Sequence, residues 1–89
     1  MGTVGIKIRI MPNSPNANLN EIKEKAKRIV KENGGINREY EIQPIAFGLN
    51  AIIAFFEWPE EKELEEIEKD FSKIKNVSSI QVIDMRKIN

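Results

Sequence analysis

The chain is 89 residues long, 40% hydrophobic and 31% charged, which fits one globular domain over residues 1–89 and leaves no room for a second. Fourteen basic residues balance fourteen acidic ones, so no net charge draws it towards nucleic acid or an acidic membrane. Cysteine and histidine are both absent, which excludes disulfides, thiolate nucleophiles, the usual zinc and iron–sulfur sites and histidine acid–base chemistry, and makes a non-enzymatic role the expected one.

Residues 3–12 alternate, with Val4, Ile6, Ile8 and Ile10 on one face and Thr3, Lys7 and Arg9 on the other. That period of two predicts a strand with one buried face. Residues 11–17, rich in proline, asparagine and serine, bar both a helix and a central strand. Asn18 stands three residues before Glu21 and predicts a helix cap. Leu19, Ile22, Ala26, Ile29 and Val30 follow at helical spacing until Gly34-Gly35 stops the helix.

A second strand is predicted from Ile36, with Ile36, Tyr40 and Ile42 in one phase and Asn37, Glu39, Glu41 and Gln43 in the other. Pro44-Ile45-Ala46-Phe47-Gly48 interrupts it, and a third strand begins near Leu49. Both phases of that strand are mostly apolar, so it is central or offers its second face to a partner. Pro59 with Glu60 and Glu61 reads as the opening of a second helix, whose buried stripe is Leu64, Ile67, Phe71 and Ile74 and which Asn76 ends. A last strand covers about Val77 to Met85, followed by Arg86-Lys87, Ile88 and Asn89. Nowhere does an apolar run approach the ~20 residues that span a bilayer, and no leader pattern opens the chain, so a cytoplasmic protein is expected.

The order β-α-β-β-α-β predicts an α+β domain of the ferredoxin-like, split-βαβ plan: a four-stranded antiparallel sheet with two helices on one face and the other face open. Residues 57–75 hold eight acids and four bases, net −4, and residues 18–33 hold five bases and three acids, net +2. A weak attraction between the two helices is expected from that difference. The acid run from Glu60 to Glu68 reads as a solvated helix face, since consecutive helix positions do not converge on one point. No residue pattern calls for a cofactor or a metal. Lys7, Arg9, Arg38, Arg86 and Lys87 can collect on the open sheet face or its rim. The glycine-and-aromatic strand signature of RNA-stacking proteins is absent, with Phe55 and Phe56 lacking its glycines and flanking bases. Phe47 leaves two readings open: it folds back to cap the end of the core, or it is presented to a partner at a tight connection that Gly48 frees to turn.

The opening Met1-Gly2, the run Ile8-Arg9-Ile10-Met11-Pro12-Asn13-Ser14-Pro15, the segment Pro44-Ile45-Ala46-Phe47-Gly48-Leu49 and the ending Asp84-Met85-Arg86-Lys87-Ile88 resemble archaeal elongation factor 1-beta. The resemblance covers the whole chain in order, and its most specific part is the Pro-Ile-Ala-Phe-Gly segment. It implies the ferredoxin-like fold and the activity of a guanine-nucleotide exchange factor for elongation factor 1-alpha, the GTPase that delivers aminoacyl-tRNA to the ribosome. It also implies that Phe47, framed by Pro44 and Gly48, docks against the GTPase. Lys87, flanked by Arg86 and Ile88, matches the near-terminal lysine that enters the magnesium and phosphate region of the partner's nucleotide site in the eukaryotic relatives. Asn89 makes that lysine third from the end here, a small departure. The partner expected on this resemblance is the GDP- or GTP-bound GTPase, with no membrane and no direct nucleic acid. The competing reading is an RNA-binding, ribosomal-type protein of the same fold.

Overall fold

Alternating and helical segments give six elements in the computed structural model, which describes residues 2–87. They are β1 (Thr3–Pro12), α1 (Leu19–Glu32), β2 (Ile36–Pro44), β3 (Asn50–Pro59), α2 (Glu65–Ser72) and β4 (Val77–Lys87). The strands form one antiparallel sheet in the order β2-β3-β1-β4. The two strands with the strongest apolar pattern, β1 and β3, therefore lie at the centre. The predicted ferredoxin-like plan is the fold observed.

One phase of each central strand is buried beneath both helices. Ile6, Ile8 and Ile10 of β1 join Ile52, Ala54, Phe56 and Trp58 of β3, Ile22, Ala26 and Val30 of α1, and Ile67 and Phe71 of α2. Phe56 meets Trp58 and Phe71 edge-to-face, with ring centroids 5.9 and 6.0 Å apart, so three aromatic rings clamp α2 to the sheet. Trp58 is thus core. Tyr40 is half-buried at the margin of the same core, and its hydroxyl donates to Asn37 Oδ1 at 2.7 Å. Burial, reinforced by the negative charge of Glu24, pushes its phenol above the ordinary tyrosine range.

Asn18 caps α1 as expected, its Oδ1 accepting from the Glu21 N–H at 3.0 Å. The second helix begins later than its acidic residues suggest. Pro59 ends β3 opposite Thr3, and a turn in which the Lys62 N–H bonds to the Pro59 carbonyl at 3.1 Å delays helix entry to Glu65. A proline lacking an N–H suits the last residue of a strand as well as the first of a helix. The fourth strand also runs on past Met85 to Lys87.

The alternation of β2 is broken by a bulge. Asn37 stands opposite Phe56 and Tyr40 opposite Ala54, so Arg38 and Glu39 together oppose the single residue Phe55. Residues of both predicted phases, Asn37 and Tyr40, consequently face the helices, and Asn37 Nδ2 donates to the Lys27 carbonyl at 2.9 Å. Ile36, by contrast, is exposed. The expected attraction between the helices does not take the form of ion pairs: among the described residues none joins them. Their shared groove is lined by Lys25, Arg28, Lys73 and Lys75 against only Glu32 and Asp70.

The backbone turns from α1 into β2 at Gly35, where packing leaves no space for a side chain. A Cβ there would stand 2.7 Å from Val30 Cγ1, 3.0 Å from the Glu57 carbonyl oxygen and 3.1 Å from the Trp58 ring. Because Val30 is a stiff β-branched residue in a helix, little can give. Gly35→Ala is expected to destabilise the protein by about 1–3 kcal/mol, read as a lower melting temperature.

Candidate functional site

Every residue from Glu41 to Gly48 is exposed, so the β2–β3 hairpin stands out from the body of a molecule 42 Å long and 18–20 Å across. Its tip is a tight turn. The Leu49 N–H donates to the Ala46 carbonyl at 3.1 Å, and the Ile45 N–H donates to the Leu49 carbonyl at 2.8 Å. The two central residues, Phe47 and Gly48, have φ of 59° and 76°, the pair of positive values that a type I′ hairpin turn requires. Glycine accepts this freely; phenylalanine does not, and a bulky residue held there costs roughly 1–2 kcal/mol.

Phe47 is 95% exposed. The reading in which it folds back on the core is therefore overturned. The chain holds a large apolar ring in water, on a strained backbone, at the most projecting point of a hairpin. Strained backbone of this kind clusters at functional sites, which makes Phe47 a candidate contact residue. Pro44 ends β2 beneath this tip, opposite Asn50, and is exposed as well.

Lys87 lies at the other end of the sheet. Its Cα is paired with Val4, and Val4 is paired in turn with Trp58 on β3. From Asn50, below the Phe47 turn, to Trp58 the strand runs eight residues, about 26 Å at the usual rise. Phe47 and Lys87 thus occupy opposite ends of the molecule and cannot enter one pocket together. The Lys87 ammonium is 3.3 Å from Glu60 Oε1, with both side chains substantially exposed. Arg86, one residue earlier on the strand, belongs to the opposite face, opposite Gly5, with its guanidinium Nε 3.2 Å from Asp84 Oδ2. Ile88, singled out with this pair, lies outside the described residues.

The open sheet face carries the other basic residues, but not as a positive patch. Arg38 is paired with Glu57 and Arg86 with Asp84, while Arg9 donates to Gln81. Lys7 stands over the half-buried Phe55 ring, 5.5 Å from its centroid. Gly5, Lys7, Phe55, Asp84 and Arg86 line a shallow hollow of about 220 Å³. Of the two adjacent phenylalanines, Phe56 is core and Phe55 faces outwards. Glu60, the contact of Lys87, is not marked out by its sequence pattern, because it lies within a run of similar exposed acids. Among the described residues, no three acidic side chains converge to hold a metal ion.

Residues 5–88 match the family of EF-1 guanine nucleotide exchange domains. Among curated proteins, the chain is similar to "Elongation factor 1-beta" of Methanosarcina barkeri, at 38% identity over 99% of this chain and 100% of that protein. It is similar also to "Elongation factor 1-beta" of Archaeoglobus fulgidus, at 42% identity over 96% of this chain and 97% of that one. Among solved structures, the C-terminal domain of the MgtC protein from Mycobacterium tuberculosis shares the fold. Its TM-score is 0.75 at 11% identity, covering 98% of this chain and 89% of that domain.

Proposed function

This chain belongs to the family of EF-1 guanine nucleotide exchange domains, and we propose that it empties its partner GTPase through two separate contacts, Phe47 for holding and Lys87 for release. Its role is that of a nucleotide exchange factor in translation elongation, with elongation factor 1-alpha as partner. The observation that carries the proposal is the exposed phenylalanine held at positive φ on the hairpin tip.

Phe47 enters an apolar pocket on the GTPase, where burying a rigid ring supplies much of the binding energy. Pro44 and Gly48 fix the hairpin that presents it. At the other end, Lys87 approaches the phosphates and Mg²⁺ of the bound GDP. A GTPase holds its nucleotide largely through phosphate contacts and the bridging Mg²⁺. An ammonium beside those oxygens competes with the metal for the same negative charge. Arg86, on the other face of the strand, adds a second contact to the partner, and Ile88 is assigned to the same partner-binding set on the family resemblance alone. Linkage then requires that the factor weaken nucleotide binding by the same ratio as nucleotide weakens the factor's.

No bond is made or broken on this chain, so it acts as a binding protein rather than an enzyme, within one domain and in the cytoplasm where translation runs. The paired charges of the open face support a reading without direct nucleic-acid contact, since phosphate binding draws on unpaired bases. Release of fluorescent GDP from preloaded elongation factor 1-alpha tests the proposal. Lys87→Ala is expected to lower the maximal release rate about 10- to 100-fold, the worth of one hydrogen bond to a charged group, while the half-saturating factor concentration changes little. Truncation after Met85 is expected to do the same. Unaltered release by both would remove Lys87 from the mechanism.

A further inference from the structure

The contact between Lys87 and Glu60 bears on the release step, and its significance rests on the role proposed for Lys87. Glu60 sits on a segment pinned at several points. Its own N–H donates to the Gly2 carbonyl at 3.0 Å, and two residues on, the Lys62 carbonyl accepts the Trp58 indole N–H at 3.3 Å. The Lys62 ammonium also bonds the Asn33 carbonyl at the end of α1 and lies 5.2 Å from the Trp58 ring. Lys87, by contrast, extends from the edge strand β4 on a long flexible side chain. A carboxylate carried on an anchored stretch of backbone therefore meets, at 3.3 Å, an ammonium carried on a long side chain of the edge strand.

The geometry points to Glu60 as a positioning residue that sets how readily Lys87 is handed to the partner's phosphates. While paired, the ammonium is screened by a carboxylate of opposite charge, and it must leave that carboxylate to engage phosphate oxygens. The carboxylate also travels with the factor towards the same anionic site and repels it. Both effects have one sign: Glu60 slows the handover. The pair is exposed, so its influence is limited to that of a surface ion pair, about two- to fivefold in rate. Because Phe47 holds the complex from the far end of the sheet, the effect falls on the maximal rate and not on the concentration needed to saturate.

Glu60→Gln keeps the shape and a hydrogen-bond acceptor but removes the charge. The test measures GDP release against factor concentration for the wild type, Glu60→Gln, Lys87→Ala and the double variant, at about 50 mM and 500 mM salt. Glu60→Gln is expected to raise the maximal rate about two- to fivefold, with the half-saturating concentration within about twofold. The gain should shrink at high salt and fall to a smaller residue, the repulsion alone, in the Lys87→Ala background. A maximal rate that is unchanged or lower in Glu60→Gln, with Lys87→Ala still slow, would overturn the role of Glu60 and leave that of Lys87 standing. A Lys87→Ala factor as fast as wild type would bring both down, and is distinguishable for that reason. A gain of equal size in the two backgrounds would also overturn positioning, since the charge would then act without Lys87.

Discussion

Replacing Phe47 by alanine is expected to weaken the complex with the GTPase by about 2–4 kcal/mol, which is roughly 30- to 1000-fold in affinity. The signature is a higher half-saturating concentration with the maximal exchange rate preserved once the factor is in excess. The folded state should be almost indifferent, because a side chain 95% exposed contributes no core contact. Phe47→Gly separates binding from strain. At φ 59° glycine has no steric conflict, so this variant should lose the partner equally while unfolding at a higher temperature, by about 1 kcal/mol of added stability. Binding by calorimetry and a thermal melt on one sample would read both changes. A stabilised variant that still bound its partner normally would mean the strain at this turn serves no contact.

The second large effect lies in the core. Phe56→Ala is expected to cost about 3–5 kcal/mol, an appreciable share of what a small domain possesses. Phe56 is fully buried on a central strand and is the ring that both Trp58 and Phe71 meet edge-on. Its removal takes the aromatic anchor of α2 off the sheet, and that helix, only eight residues long, has little stability of its own. Denaturant unfolding should show a lower midpoint, with exchange activity lost in proportion to the unfolded fraction. The neighbouring Phe55→Ala, which removes a half-buried ring from the open face, should cost far less, and the contrast between adjacent residues tests the alternation itself.

How much of this was legible in the residues depended on the range of the interaction. The central strands were plain, because period-two burial is a local property and Ile6, Ile8 and Ile10 could not be satisfied otherwise. Gly34-Gly35 and Asn18 gave the limits of α1 for the same reason. Where two local rules conflict, the pattern misled: Pro59 satisfies both a strand end and a helix start, and only its pairing with Thr3 decides. The bulge in β2 is invisible until Phe55 is seen opposite two residues. At the site, the residue types alone leave Phe47 between a core cap and a contact and read Lys87 as an ordinary solvated charge, so their roles come from the family resemblance. The positive φ of Phe47, the distance between the two positions and the partnership of Lys87 with Glu60 are three-dimensional facts. No spacing along the chain encodes them.

The placement of the hairpin tip and the β4 terminus at opposite ends of one stiff sheet has a kinetic consequence. On the two-contact reading proposed above, a factor seated by Phe47 swings its far end through a volume of ~25 Å radius, which sets the effective concentration of Lys87 at the nucleotide site on the order of millimolar or above. Neither a free lysine nor a peptide copied from the last strand could reproduce that at the concentrations of a cell. On the roles proposed for Phe47 and Lys87, it is the tether, with its length matched to the span between the two contacts, rather than the basicity of the strand end that makes a weak ammonium–phosphate attraction a competitor for Mg²⁺. Loosening the central strands, or shortening them so that the two contacts no longer span their sites, should therefore slow exchange even with both contact residues intact.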